Sequence, residues 1–164
     1  MKRRHFITGA FATTAALALG VSLYRPELEP VEAEDSHRAL FAVLVPVLLD
    51  GALPRMSSPR EAAINRTLDA ISQTLTVLPQ SQRDELELLL DGLENRLGVL
   101  VLTGSMTPLL LRSPEQLVVM LESWRDGFLE MQQQAYYGLR ELIMASYYSC
   151  PEHWGTLHYS KPKI

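Results

Sequence analysis

Cys150 and His153 stand three positions apart, and His158 follows closely. Thiolate and imidazole at short spacing are the donors of zinc sites. A closed zinc site takes four ligands, usually as two short-spaced pairs, and the sequence around this cluster supplies no second pair. His37, His153 and His158 therefore read as solvated or hydrogen-bonded side chains, and no metal is expected. Haem attachment needs Cys-x-x-Cys-His and an iron–sulfur cluster needs several cysteines, but Cys150 is the only cysteine of the chain. Nucleophilic catalysis is no better supplied. Gly-x-Ser-x-Gly is absent, and Cys150 lies beside Pro151 with no base and orienting group in reach of sequence reasoning. His153 stands three residues on, but two residues do not make a site. The glycines are scattered, so no phosphate or dinucleotide loop can be drawn. Glu85/Glu87 and Asp84/Asp91 read as solvated helix faces. No catalytic, cofactor-binding or metal-binding residue is expected in this chain.

What remains is aromatic. Tyr136, Tyr137, Tyr147, Tyr148, Trp154 and Tyr159 crowd the C-terminal segment, against an aromatic content of 7% for the whole chain. One reading is the edge of a core, with tyrosine hydroxyls reaching water. The other is a binding surface, because tyrosine and tryptophan bury large area at low entropic cost. Both readings stay open, and they can share residues.

Helices must position these groups. A first helix is expected from about Ser36 to Asp50, capped by Asp35 or Ser36, stopped by Gly51 and kinked at Pro46. A second should start at Ser58 as cap with Pro59 in the first helical position, carry Ile64, Leu68, Ile71, Leu75 and Leu78 on one stripe, and end at Pro79. A third, from about Ser81, repeats that spacing through Leu86, Leu90, Leu93, Leu97 and Leu100, with further leucines and valines widening its apolar face. Ser113-Pro114-Glu115-Gln116 then announces another start: serine cap, proline first, glutamine third. Leu117, Leu121, Trp124, Phe128 and Met131 follow one stripe, with a break or bend at Gly127, and the last helix runs to about Ser149. No segment alternates as a strand does. The fold class is all-α: an irregular bundle of four to five helices after an N-terminal signal helix.

That signal segment begins Lys2-Arg3-Arg4-His5-Phe6-Ile7 and stays apolar to Leu23. The basic residues hold the N-terminus on the cytoplasmic side. Eighteen residues of helix rise about 27 Å, slightly less than a ~30 Å hydrocarbon core, so a cleaved signal suits the segment better than an anchor. Paired arginines followed by Phe6 resemble a twin-arginine (Tat) signal, a route that carries folded proteins across a bacterial membrane. Arg3, Arg4 and Phe6 would be read by the Tat translocase. Val31-Glu32-Ala33 is the best cleavage site, giving a signal of residues 1–33 and a helical domain of residues 34–164. Retention as an anchor is the alternative.

The signal takes four of the 15 basic and three of the 19 acidic residues, which leaves 11 basic and 16 acidic residues in the domain. A net acidic surface argues against nucleic acid as a partner. A lone cysteine in an oxidising compartment is either buried or paired with another chain. With an odd cysteine, an oxidising destination and an aromatic surround, Cys150 is the candidate for an intermolecular disulfide with a partner.

The pattern Tyr147-Tyr148-x-x-Pro151-x-x-Trp154, followed by Tyr159 and Pro162, together with the Tat-like leader, resembles the gluconate 2-dehydrogenase subunit 3 family. The resemblance implies a small subunit without a cofactor of its own. It implies a partner, the FAD-containing catalytic subunit of a glucose-methanol-choline (GMC) type dehydrogenase, which lacks a signal and crosses the membrane attached to the small subunit. It further implies a membrane cytochrome c subunit reached through the complex, and a periplasmic, membrane-associated location. Tyr147, Tyr148, Cys150, Trp154 and Tyr159 would then form or support the partner interface. A free-standing periplasmic helical protein, binding a small apolar ligand along its leucine-rich third helix, is the alternative function. An enzyme in its own right is the third.

Overall fold

A computed structural model describes residues 37–157. The expected signal segment with Arg3, Arg4 and Phe6, and the tail residues His158, Tyr159 and Pro162, lie outside the described residues. Six α-helices and two 3-10 turns, with no strand among the described residues, make the fold all-α. In chain order they are α1 (Arg38–Leu48), α2 (Ser57–Val77), α3 (Gln80–Glu94), α4 (Arg96–Thr103), a 3-10 turn (Leu109–Leu111), α5 (Pro114–Asp126), α6 (Glu130–Tyr148) and a second 3-10 turn (Pro151–Leu157). No helix among the described residues is long and apolar enough to cross a membrane.

The short α1 is the hub. A helix with so few polar residues must be covered on several sides. Leu40, Phe41, Leu44 and Val45 are buried, and α1 packs against α2, α5, α6 and the Leu109–Leu111 turn. Its N-cap is His37, not Asp35 or Ser36, and makes no capping bond. The His37 imidazole is drawn instead to Glu94 on α3, 3.0 Å away. Pro46 lies near the C-terminal end, where little helix remains to be disturbed.

Local grammar sets several boundaries. Leu78 is extended ahead of Pro79 and closes α2. The Arg83 guanidinium reaches back to the carbonyls of Thr76 and Leu78, so the joint between α2 and α3 keeps its end carbonyls satisfied. Ser113 and Gln116 form the expected capping box of α5, with Pro114 as its first residue. Gly127 ends α5 as the sequence indicates.

Other boundaries differ from the sequence reading. Ser58 is not the cap of α2, which starts at Ser57 after Met56 and has no side-chain capping bond. Pro59 then falls in the third helical position, still within the first turn, where a missing N–H costs no intrahelical bond. The expected third helix is two helices. Asn95 interrupts it in an extended conformation, ends α3, and caps α4 by accepting the Leu97 N–H at 3.0 Å. The leucine stripe is thereby rotated: Leu90, Leu93, Val99 and Leu102 are buried, whereas Leu97 and Leu100 are exposed. Phe128 also leaves its expected stripe. It follows the break at Gly127 and is 93% exposed.

Candidate functional site

The C-terminal aromatic segment is assembled by the end of α6 and the 3-10 turn that folds back on it. The last carbonyls of a helix have no intrahelical donors. Here two side chains supply them. The His153 imidazole donates from Nδ1 to the Tyr147 carbonyl at 2.6 Å, and Trp154 Nε1–H donates to the Tyr148 carbonyl at 2.8 Å. Pro151 stops the helix and turns the chain so that both rings point back. The His153 ring stacks on Tyr147 at 3.9 Å between centroids and 11° between planes, and Tyr148 meets Tyr147 edge-on. An ion pair between Arg66 of α2 and Glu152 holds the turn from outside.

Tyr147 is 1% exposed. Its hydroxyl donates to the Ala52 carbonyl at 2.9 Å, in the loop after α1. Burial lifts its phenol above the ordinary value, with the neighbouring Tyr148 adding to the shift. Tyr147 can therefore support an outer surface but cannot form one. Tyr148, Cys150 and Trp154 are half-buried at the rim. The Cys150 thiol lies 3.9 Å from the Ser149 hydroxyl. Of the sequence-chosen cluster, the structure brings Tyr147, Tyr148, Cys150, His153 and Trp154 together. Tyr159 and His158 lie outside the described residues. Tyr147→Phe removes one neutral hydrogen bond and leaves the Ala52 carbonyl short of a donor, so a stability loss of about 1–2 kcal/mol is expected in urea unfolding.

A second surface escaped sequence reasoning. Large apolar side chains stand bare on α4, on the Leu109–Leu111 turn, on α5 and at the corner between α5 and α6. Leu111 is 76% exposed and Val119 66% exposed, and Val101 and Leu129 are exposed as well. α4, α5 and α6 meet at the Leu102 carbonyl, which accepts from Trp124 Nε1 at 3.1 Å and from Gln132 Nε2 at 2.7 Å. Arg112 ties the same region by bonding Thr103 Oγ1 at 2.7 Å and the Thr107 carbonyl at 3.1 Å. A pocket of about 180 Å³ lies beside it, lined by Ser105, Thr107, Arg112 and Gln116. The sequence held one clue to this surface: Asn95 and Gly98, both poor helix formers, stand inside the leucine run.

Among the described residues, donors of His37, Asp91 and Glu94 lie within 4.8 Å of one another, a grouping also missed in sequence. Only tertiary packing brings the start of α1 to the end of α3. No family model matches this chain, and no curated protein and no solved structure matches it either.

Proposed function

We infer that this chain is a non-catalytic small subunit of a periplasmic, membrane-associated FAD-dependent sugar or alcohol dehydrogenase. Its role is to bind the GMC-type catalytic subunit, aid its folding and carry it through the Tat translocase. The leader and the Tyr147-Tyr148-x-x-Pro151-x-x-Trp154 pattern support the reading from sequence. The observation that carries it is the bare apolar set on α4, the Leu109–Leu111 turn and α5, with Val101, Leu111 and Val119 exposed. Apolar exposure of this kind suits a protein partner, and burial in an obligate interface would remove it from water. Cys150, half-buried at the rim of the aromatic cluster, is the residue that would join a partner cysteine once the compartment's thiol oxidant takes up two electrons and two protons.

For the alternative, an apolar ligand carrier, the third-helix leucines Leu90 and Leu93 pack into the core. The pocket at Arg112 is also smaller than the roughly 300–1,000 Å³ typical of ligand sites, at about 180 Å³. Among the described residues, no observation favours that reading.

The test is co-expression with a neighbouring signal-less reading frame that carries a flavin-binding Gly-x-Gly-x-x-Gly, followed by affinity capture of this chain. A flavin-bearing complex is expected. A solitary monomer overturns the reading. Leu111→Asp and Val119→Asp, both at exposed positions, should leave the fold within about 0.5 kcal/mol of the parent. Together they should reduce partner affinity about tenfold or more, equivalent to about 1.4 kcal/mol.

A further inference from the structure

Asp91 and Glu94 share the last turn of α3, three residues apart and therefore on one face. Each aspect of that placement is unfavourable. Like charges at this spacing repel, and the C-terminal turn of a helix is the negative end of its dipole. No basic residue stands in the turn to offset them. Across the gap, His37 Nδ1 lies 3.0 Å from Glu94 Oε1. The donor atoms of His37, Asp91 and Glu94 all fall within 4.8 Å of one another. A cation among them would turn both repulsions into attractions.

We propose that His37, Asp91 and Glu94 form a binding site for a first-row divalent metal ion, zinc foremost, with water completing its coordination. The donor set selects the ion. One imidazole and two carboxylates, with no thiolate, suit zinc and its neighbours, while magnesium and calcium favour oxygen alone. Two carboxylates neutralise the ion's charge, and a neutral imidazole adds the nitrogen donor. Bonds of about 2.0–2.2 Å to zinc place neighbouring donors roughly 3.0–3.5 Å apart. The His37–Glu94 pair already has that separation, at 3.0 Å. Asp91 is exposed, so its carboxylate closes the remaining gap by a side-chain rotation. Bound there, the ion staples the start of α1 to the end of α3, segments 57 residues apart in sequence at His37 and Glu94.

The rival explanation is a simple His37–Glu94 ion pair with no metal. Calorimetric titration of the EDTA-stripped full chain with zinc, and with magnesium as control, decides between them. Expected are one zinc per chain with a Kd of about 10 μM or tighter, weak or no magnesium binding, and a thermal midpoint that rises with zinc. His37→Ala, Asp91→Asn and Glu94→Gln should each weaken zinc binding about tenfold or more, while Cys150→Ser leaves it unchanged. Circular dichroism of the zinc-free variants checks folding. Should His37→Ala fail to fold, the two near-isosteric carboxylate variants carry the test. Absence of saturable binding up to millimolar zinc overturns the site. So does zinc binding that survives the carboxylate variants, or that disappears in Cys150→Ser.

Discussion

Gly98→Ala is expected to destabilise the protein by about 2–3 kcal/mol, while Gly92→Ala leaves it unchanged or slightly more stable. The two glycines face each other across the joint between α3 and α4. Asn95 alone separates those helices, so they fold back sharply and their backbones touch. A Cβ on Gly98 would run into the Gly92 backbone, 2.8 Å from its Cα and closer still to its carbonyl oxygen. Backbone cannot swing aside as a side-chain tip can, so the joint must open, and Val99 and Leu102 must leave their buried positions with it. A Cβ on Gly92 meets only Leu102 Cδ1 at 3.5 Å, ordinary contact. Both substitutions gain about 1 kcal/mol of helix propensity, which partly offsets the clash at Gly98 and goes unopposed at Gly92. Thermal unfolding by circular dichroism should separate the two variants by roughly 10 °C. Equal midpoints would mean that α3 and α4 do not cross in close backbone contact.

The same joint marks where the sequence stops being readable. Where a boundary depends on residues that act on their own backbone, it is legible: Pro79 ends α2, Ser113, Pro114 and Gln116 start α5, and Gly127 ends it. The leucine spacing from Leu86 to Leu100 runs unbroken across Asn95, because periodicity records a helix phase and not the tertiary fold-back that resets it. Phe128 misleads for the same reason. It keeps the stripe's spacing from Trp124, yet it sits beyond the helix end, where spacing no longer fixes direction. The aromatic tail was visible as a cluster. That its histidine and tryptophan turn inward to satisfy α6 carbonyls was not, since this depends on how Pro151 aims the next turn. His37, Asp91 and Glu94 left no spacing signal at all. They meet only because α1 is swallowed by the bundle and α3 ends beside its entrance.

Trp124→Ala should cost about 4 kcal/mol, close to the whole stability of a marginal domain. Trp124 is 1% exposed and is among the largest fully buried side chains. Its removal leaves a cavity that the neighbouring Leu117 and Leu121 on α5 cannot fill without breaking their own packing. The indole also has a polar task. The Leu102 carbonyl belongs to the last turn of α4, where no helical donor reaches it, and Trp124 shares that acceptor with Gln132 of α6. Trp124→Phe separates the two contributions. It keeps much of the ring volume and loses the Nε1–H, while Gln132 still satisfies the carbonyl, so a loss of about 1–2 kcal/mol is expected. Adding Gln132→Ala to Trp124→Phe strips both donors. The double variant should then lose more than the sum of the singles, because the second deletion alone leaves a helix-end carbonyl with neither partner. Urea unfolding of the set measures this, and strict additivity would show that water replaces the donors freely. Since α4 and α5 both carry the bare apolar side chains, the Leu102 tie also fixes the relative position of Val101 and Val119. The Trp124→Phe, Gln132→Ala protein, assayed where it remains folded, should therefore capture the proposed catalytic subunit less well than its parent even though every exposed apolar side chain proposed to dock is unchanged.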